Sequence, residues 1–229
     1  MNKFKKNFYQ GRDPRDMPAY GVVEAARYLR VPYFVLYSWL RPAVVASNHG
    51  SEPKPLIVRP QGSSQLSFWN LVEGHVLKAL LRSHNIPVAE IRQAISYAEQ
   101  DCGISRLLIS EFEVGARQIF IKRIGQLISL GRGGQLAMEK VLDRYIERIT
   151  YRNNQAVSLD PFVYDGDSRF VKISPDFAFG KPVIASAGVS TYVIAERFEL
   201  GEDKKDIADD YGIKEAEVEE AIIYEQAAA

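Results

Sequence analysis

The stretch Tyr20-Gly21-Val22-Val23-Glu24-Ala25-Ala26-Arg27-Tyr28-Leu29-Arg30-Val31-Pro32-Tyr33-Phe34-Val35-Leu36-Tyr37-Ser38-Trp39-Leu40-Arg41 decides how the N-terminal part of this chain is read. Val22, Ala25, Ala26 and Leu29 fall at i, i+3, i+4 and i+7, one face of a helix. Val31-Pro32 follows, and proline suits the entry to a second helix. Leu36, Trp39 and Leu40 then form a second apolar face. Two short helices joined by about three residues, with small alanines facing inward, predict a helix-turn-helix.

Working outward, residues 42–65 are rich in proline and glycine. Within and just after them, Leu56–Arg59 and Leu66–Phe68 read as two short strands around a turn, the placement of a wing. Upstream, residues 1–17 alternate Lys3, Lys5, Lys6, Arg12 and Arg15 with Phe4, Phe8 and Tyr9, and read as a flexible basic arm. Downstream, helical spacing runs from Trp69 to His84 and from Val88 to Gln100. Short strands are expected at 107–112, 118–121 and 126–130, and a helix over about 136–149. A strand at Arg169–Ile173 and helices at about Thr191–Leu200, Lys204–Tyr211 and Glu215–Glu225 complete the chain. Gly201 and Gly212 serve as C-terminal caps. The expected fold class is α+β, mainly helical. It comprises an N-terminal winged helix-turn-helix, a small central α/β region with a β-hairpin, and a C-terminal helix-turn-helix-like domain. The corresponding division is a basic arm at 1–17, the winged unit at 18–84, a central connector at 85–165 and a C-terminal helical domain at 166–229.

The chain has 229 residues, 46% hydrophobic and 25% charged, which is ordinary globular composition. No apolar run approaches the roughly 18–20 residues of a membrane span. The charged start lacks the apolar core of a signal peptide, so a cytoplasmic protein is expected. Cys102 is the lone cysteine and forms no internal disulfide. The net charge of zero hides a polarity. Residues 1–60 carry ten basic against four acidic side chains, residues 61–150 eleven against nine, and residues 151–229 eight against sixteen. A cationic head and an anionic rear suggest a polyanionic partner at one end and a different partner at the other.

Little points to catalysis, and the chain is read as a non-enzyme. His49, His75 and His84 lack metal-ligand spacing, so no metal and no cofactor are expected. Gly131-Arg132-Gly133-Gly134 lacks the Lys-Ser/Thr of a P-loop and reads as a turn. Asp206, Asp209, Asp210, Glu217, Glu219 and Glu220 read as a solvated helix face.

DNA binding is the positive reading. With Leu36, Trp39 and Leu40 inward, the second helix presents Tyr33, Phe34, Tyr37, Ser38 and Arg41. On a recognition helix such side chains meet bases and thymine methyls. Arg27 and Arg30 flank the turn as phosphate clamps, with Lys54 and Arg59 on the wing. The competing reading packs Tyr33, Phe34 and Tyr37 into the core. The acidic Lys204–Glu225 pair of helices would repel phosphates and is expected to pack on protein, itself in a homodimer or a basic partner.

Residues 20–40 resemble the start of a MerR-type winged helix-turn-helix, with Tyr37 where that family typically carries a basic residue. The segment Ile173-Ser174-Pro175-Asp176 through Gly180-Lys181-Pro182-Val183-Ile184, then Gly201, then Ile207-Ala208-Asp209-Asp210-Tyr211-Gly212-Ile213, resembles a family known only as a domain of unknown function. That family's usual G-T-R-I turn is here Ser186-Ala187-Gly188-Val189. Together with Leu66–Glu73, Ile91–Ala94 and Gly134-Gln135, the combination is similar to the VapB-like antitoxins of bacterial type II toxin–antitoxin modules. The resemblance implies a cognate PIN-domain ribonuclease toxin, neutralised by complex formation, and operator DNA bound by a homodimer that represses the shared operon. Two other readings stay open: a stand-alone transcription regulator with a sensor in residues 85–165, and an interaction module without DNA binding.

Overall fold

In the computed structural model the described residues are 11–42, 55–84, 86–102, 106, 108, 132–163 and 169–226. Among them the fold is α+β and mainly helical, with eight α-helices and two small antiparallel sheets. The helices are α1 (Val22–Leu29), α2 (Tyr33–Trp39), α3 (Phe68–His84), α4 (Val88–Cys102), α5 (Arg132–Ile146), α6 (Thr191–Glu199), α7 (Lys204–Tyr211) and α8 (Glu215–Gln226). The strands are β1 (Ile149–Arg152), β2 (Gln155–Leu159), β3 (Val171–Lys172), β4 (Val183–Ile184) and β5 (Val189–Ser190).

The chain divides into two compact units, and both are discontinuous. One comprises Met1–Tyr33, Pro60–Phe68 and Val157–Ala229, the other Phe34–Arg59 and Trp69–Ala156. The boundaries cross the linear division expected from sequence, because residues 18–33 belong with the C-terminal third. They also part the two helices of the expected helix-turn-helix: α1 lies in the first unit, and α2 from Phe34 onward in the second.

In the first unit α8 packs on α6, on α7 and on the β3–β4–β5 sheet. Ile194, Ile207, Val218, Ala221 and Tyr224 are buried there with Val171, Val183 and Ile184. The sheet is antiparallel, with Val171 opposite Ile184 and Val183 opposite Ser190. Capping is local and strong. Asp203 accepts from the Lys205 N–H at the start of α7, and Gly212 closes α7 in the left-handed region at φ 63°. Glu24 bonds the Gly21 N–H at the start of α1 and accepts from the Tyr28 hydroxyl at 2.8 Å.

The expected wing is not formed. Leu66 exchanges backbone hydrogen bonds with Tyr20, at 2.8 and 3.0 Å, and so extends the approach to α1. Ile57 instead donates to the Trp39 carbonyl at 3.1 Å, and Phe68 already belongs to α3. The backbone groups that would pair the two wing strands are thus committed elsewhere. Residues 11–17 differ from a flexible arm as well. Asp13 caps a 3-10 turn at Pro14–Asp16 and pairs with Arg15, whose pKa that bond raises.

In the second unit Leu71, Val76, Leu77 and Leu80 of α3 are buried with Ile91 and Ala94 of α4, and with Met138 and Leu142 of α5. The helix expected at 136–149 begins earlier, so Arg132, Gly133 and Gly134 form the first turn of α5 rather than a loop. It also ends earlier. Asn153 and Asn154, both at positive φ (52° and 61°), turn β1 into β2, a hairpin that lies within the central region 85–165. The expected strands at 107–112, 118–121 and 126–130 lie outside the described residues, apart from Leu108.

His75 of α3 is buried at 3% exposure. Its Nε2 lies 3.0 Å from the Tyr145 carbonyl, so the neutral ring donates there. Burial pushes its pKa down to about 3, and nearby Lys78 and Arg148 add to the effect. Below about pH 6.5 the unfolded chain binds a proton that the folded ring refuses. Stability therefore falls as pH drops from about 6.5 toward about 3, by up to about 1.4 kcal/mol per pH unit. Urea unfolding at pH 7.5 and pH 5 is expected to show a smaller acid loss in His75→Gln than in the parent chain. Equal losses would show that His75 is not the group responsible.

Candidate functional site

The sequence of α2 places Leu36 and Trp39 on one side, and both are buried, as is the following Leu40. The opposite side is solvent-facing: Phe34 is 72% exposed, Tyr33 and Tyr37 are exposed, and Ser38 and Arg41 join them. The reading in which these aromatics fill the core is thereby excluded. Their surface is organised by two contacts. The Arg41 guanidinium lies over the Tyr37 ring at 4.8 Å, a cation–π arrangement that holds both side chains. The Ser38 hydroxyl donates to the Val35 carbonyl at 2.7 Å, leaving its oxygen free to accept.

The same unit holds the segment before Pro60. Ile57 is fully buried and bonded to the Trp39 carbonyl, and Asn70 of α3 donates to the Val58 carbonyl at 2.9 Å. That pair of bonds fixes Val58, which is exposed, and Arg59, which is half-buried, in the unit that carries α2. Lys54, expected beside Arg59, lies outside the described residues.

Arg27 and Arg30 are placed quite differently. Both sit on or just after α1 and turn inward to α8. Arg30 donates to the carbonyls of Tyr224 at 3.2 Å and Ile223 at 3.5 Å, and stacks over the Tyr224 ring at 5.4 Å. Burial lowers its pKa. Arg27 pairs with Glu225 at 3.5 Å and lies over the Tyr28 ring. These arginines cap the last turn of α8, where a cation meets the negative end of the helix dipole. They are not the free phosphate clamps the sequence suggested. Of the nine residues singled out, Phe34, Tyr37, Ser38 and Arg41 lie on or just after the exposed side of α2, Arg59 belongs to the same compact unit, and Tyr33 is the last residue of the other unit's first segment.

The acidic C-terminal helices also hold a surprise. Asp206, Asp209, Asp210 and Glu219 are exposed, but Glu217 and Glu220 are buried. Glu220 accepts the backbone N–H groups of Phe170 at 3.0 Å and Val171 at 3.2 Å. Glu217 accepts from the Ser186 hydroxyl at 2.5 Å and the Lys214 N–H at 2.9 Å. The expectation of one solvated carboxylate face fails at these two positions, because their i, i+3 spacing turns them toward the sheet. Ser186 belongs to the turn that departs from the family pattern, and Gly188 of that turn has φ 68°. Two further exposed features were not legible in the sequence. Phe179 is exposed at φ 53° in the turn Ala178–Gly180, and α6 leaves Tyr192 and Val193 uncovered, with Leu200 just after it.

Among the described residues no helix is long and apolar enough to cross a membrane, and no group of His, Cys, Asp and Glu is arranged to hold a metal ion.

Comparison with known proteins adds three findings. Residues 171–224, from β3 to α8, match the family described as protein of unknown function DUF433. Along 225 residues the chain is 26% identical to the Mycobacterium tuberculosis protein named "Putative antitoxin VapB45", covering 90% of this chain and 93% of that one. The crystal structure of Rv2018 from Mycobacterium tuberculosis superposes with a TM-score of 0.68 at 23% identity, covering 90% of this chain and 98% of that one. The last establishes likeness of fold.

Proposed function

For a chain that is VapB-like over nine-tenths of its length and ends in a DUF433 segment, we propose the function of an antitoxin, which binds and neutralises a nuclease toxin and represses its own operon. The toxin would be a PIN-domain ribonuclease, and the repressor would act as a homodimer on paired operator half-sites. The toxin-binding part of this reading is supported by similarity that extends across both compact units rather than through one domain alone. The DNA-binding part is supported by one observation: α2 presents Phe34, Tyr37 and Arg41 to solvent, with Arg59 in the same unit. A short helix does not usually expose such bulk without a partner. In a major groove the rings meet thymine methyls and sugar edges, while Arg41 reaches a guanine edge or a phosphate.

The test is fluorescence anisotropy of the full chain on a duplex from its own upstream region. Phe34→Ala combined with Tyr37→Ala is expected to weaken binding at least tenfold, about 1.4 kcal/mol or more, with the melting temperature unchanged. Arg27→Ala and Arg30→Ala are expected to lower the melting temperature instead, since both hold the end of α8. A parent chain whose affinity for DNA is nil, or does not fall with salt, would reject the repressor reading.

One observation favours a second reading, an interaction module without DNA binding. Two of the expected phosphate contacts, Arg27 and Arg30, are committed inside the first unit. On that reading the aromatic face of α2 meets protein, and the same titration separates the two.

A further inference from the structure

Residues 191–226 carry four basic against twelve acidic side chains. Glu217 and Glu220 are satisfied internally, and Asp206, Asp209 and Asp210 share an exposed face of α7. The exposed side of α6 differs in joining carboxylates to large apolar side chains. At roughly 100° per residue, positions 192, 193, 196, 199 and 200 fall within an arc of about 120°. Tyr192 is 57% exposed, Val193 38% and Leu200 80%, and Glu196 and Glu199 lie between them, also exposed. The opposite side, with Thr191, Ile194 and Ala195, is buried on α8. Arg197, the single basic residue of α6, is withdrawn from this face. It is bidentate to Glu202, bonds Asp210 at 2.6 Å, and lies over the Tyr211 ring at 5.1 Å. Those bonds also pin the corner between α6 and α7. Glu196 and Glu199 make no ion pair among the described residues.

We infer that this face of α6 is a docking surface for a cationic protein, with Tyr192 and Leu200 as apolar anchors and Glu196 and Glu199 as the charged rim. Charge complementarity selects the occupant. A nucleic acid would bring phosphates against Glu196 and Glu199. A second copy, related by a two-fold axis through the face, would set the same carboxylates against each other. A partner with a basic rim around an apolar patch satisfies both parts at once. Tyrosine is among the residues enriched in binding hot spots, Leu200 adds apolar area beside it, and rim charges steer the encounter. Resting on the antitoxin reading, that partner is the toxin, whose RNA-binding rim must itself be cationic to hold a polyanion.

The experiment uses the full chain and, as probe, the purified product of the adjacent reading frame, measured by biolayer interferometry. Tyr192→Ala combined with Leu200→Ala is expected to weaken binding at least thirtyfold. Glu196→Lys combined with Glu199→Lys is expected to weaken it at least tenfold and to abolish most of its dependence on salt. Both variants alter exposed positions, and their melting temperatures are expected to match the parent. If the parent binds and both variants bind within threefold of it, the surface is wrongly assigned while the antitoxin reading stands. If the parent itself does not bind, the antitoxin reading fails and this inference with it. If the variants change DNA affinity or the mass of the free chain in solution instead, the face serves nucleic acid or a second copy, and the inference is overturned.

Discussion

Replacing Glu220 with alanine is expected to lower the stability of the first compact unit by about 3–5 kcal/mol, the largest single effect anticipated for this chain. The carboxylate is buried at 3% exposure and receives two backbone N–H groups, from Phe170 and Val171. Those donors belong to the approach to β3 and to its first residue, so Glu220 ties α8 to the sheet. Alanine leaves both donors without their acceptor in a site closed to water, and each such group costs its desolvation. Glu220→Gln keeps a carbonyl oxygen in the same place and is expected to lose less than half as much. Glu219→Ala is the control. Its carboxylate is exposed and pairs with Lys204 at 3.3 Å on the surface, an interaction worth at most about 1 kcal/mol. For a chain of this size each kcal/mol moves the melting temperature by about 2–4 °C, so the Glu220→Ala transition should drop by roughly 10 °C while Glu219→Ala barely moves. Equal shifts in the two would refute the assignment.

The second large effect is expected at Gly180. Its backbone sits at φ 85°, and a Cβ built there would lie 2.3 Å from the Tyr20 hydroxyl oxygen. Tyr20 is 1% exposed and cannot swing away, being packed edge-on to Tyr28 at 6.0 Å. Its hydroxyl donates to the Gly180 carbonyl at 2.8 Å, which draws the loop onto the ring. Gly180→Ala combines a left-handed backbone penalty of about 1–2 kcal/mol with overpacking of about 1–3 kcal/mol. Tyr20→Phe alone loses one buried hydrogen bond, about 1–1.5 kcal/mol. The double variant relieves the closest contact, so its cost is expected to fall at least about 1 kcal/mol short of the sum of the two singles. Simple additivity in denaturant unfolding would show that the two sites are not coupled by contact.

Several features were legible in the residues themselves. The i, i+3, i+4 spacing of Leu36, Trp39 and Leu40 is enough to say which side of α2 faces out, and Phe34, Tyr37 and Arg41 are exposed accordingly. The glycines at 201 and 212 end α6 and α7 because left-handed backbone at a helix end suits glycine. What failed shares one cause. The roles of Arg27 and Arg30 were read from neighbours in sequence, whereas their partners are Tyr224 and Glu225, nearly two hundred residues away. Leu66 has strand character, but strand character does not name a partner, and the partner is Tyr20 rather than the residues 56–59 beside it. Glu217 and Glu220 look like any surface glutamates until a sheet supplies the donors that bury them.

By itself the sequence determined roughly which of the described segments become helices, which face of α2 is apolar, and that charge is polarised from one end to the other. These depend on periodicity, on capping chemistry and on composition, all of which act within a few residues. Only the tertiary structure decided that α1 shares a compact unit with α6, α7 and α8 and that α2 does not, which arginines are spent on helix ends, and which carboxylates are interior. Those outcomes depend on where distant backbone donors and carbonyls come to rest, and a hydrogen bond between residues 30 and 224 leaves no trace in the spacing of either.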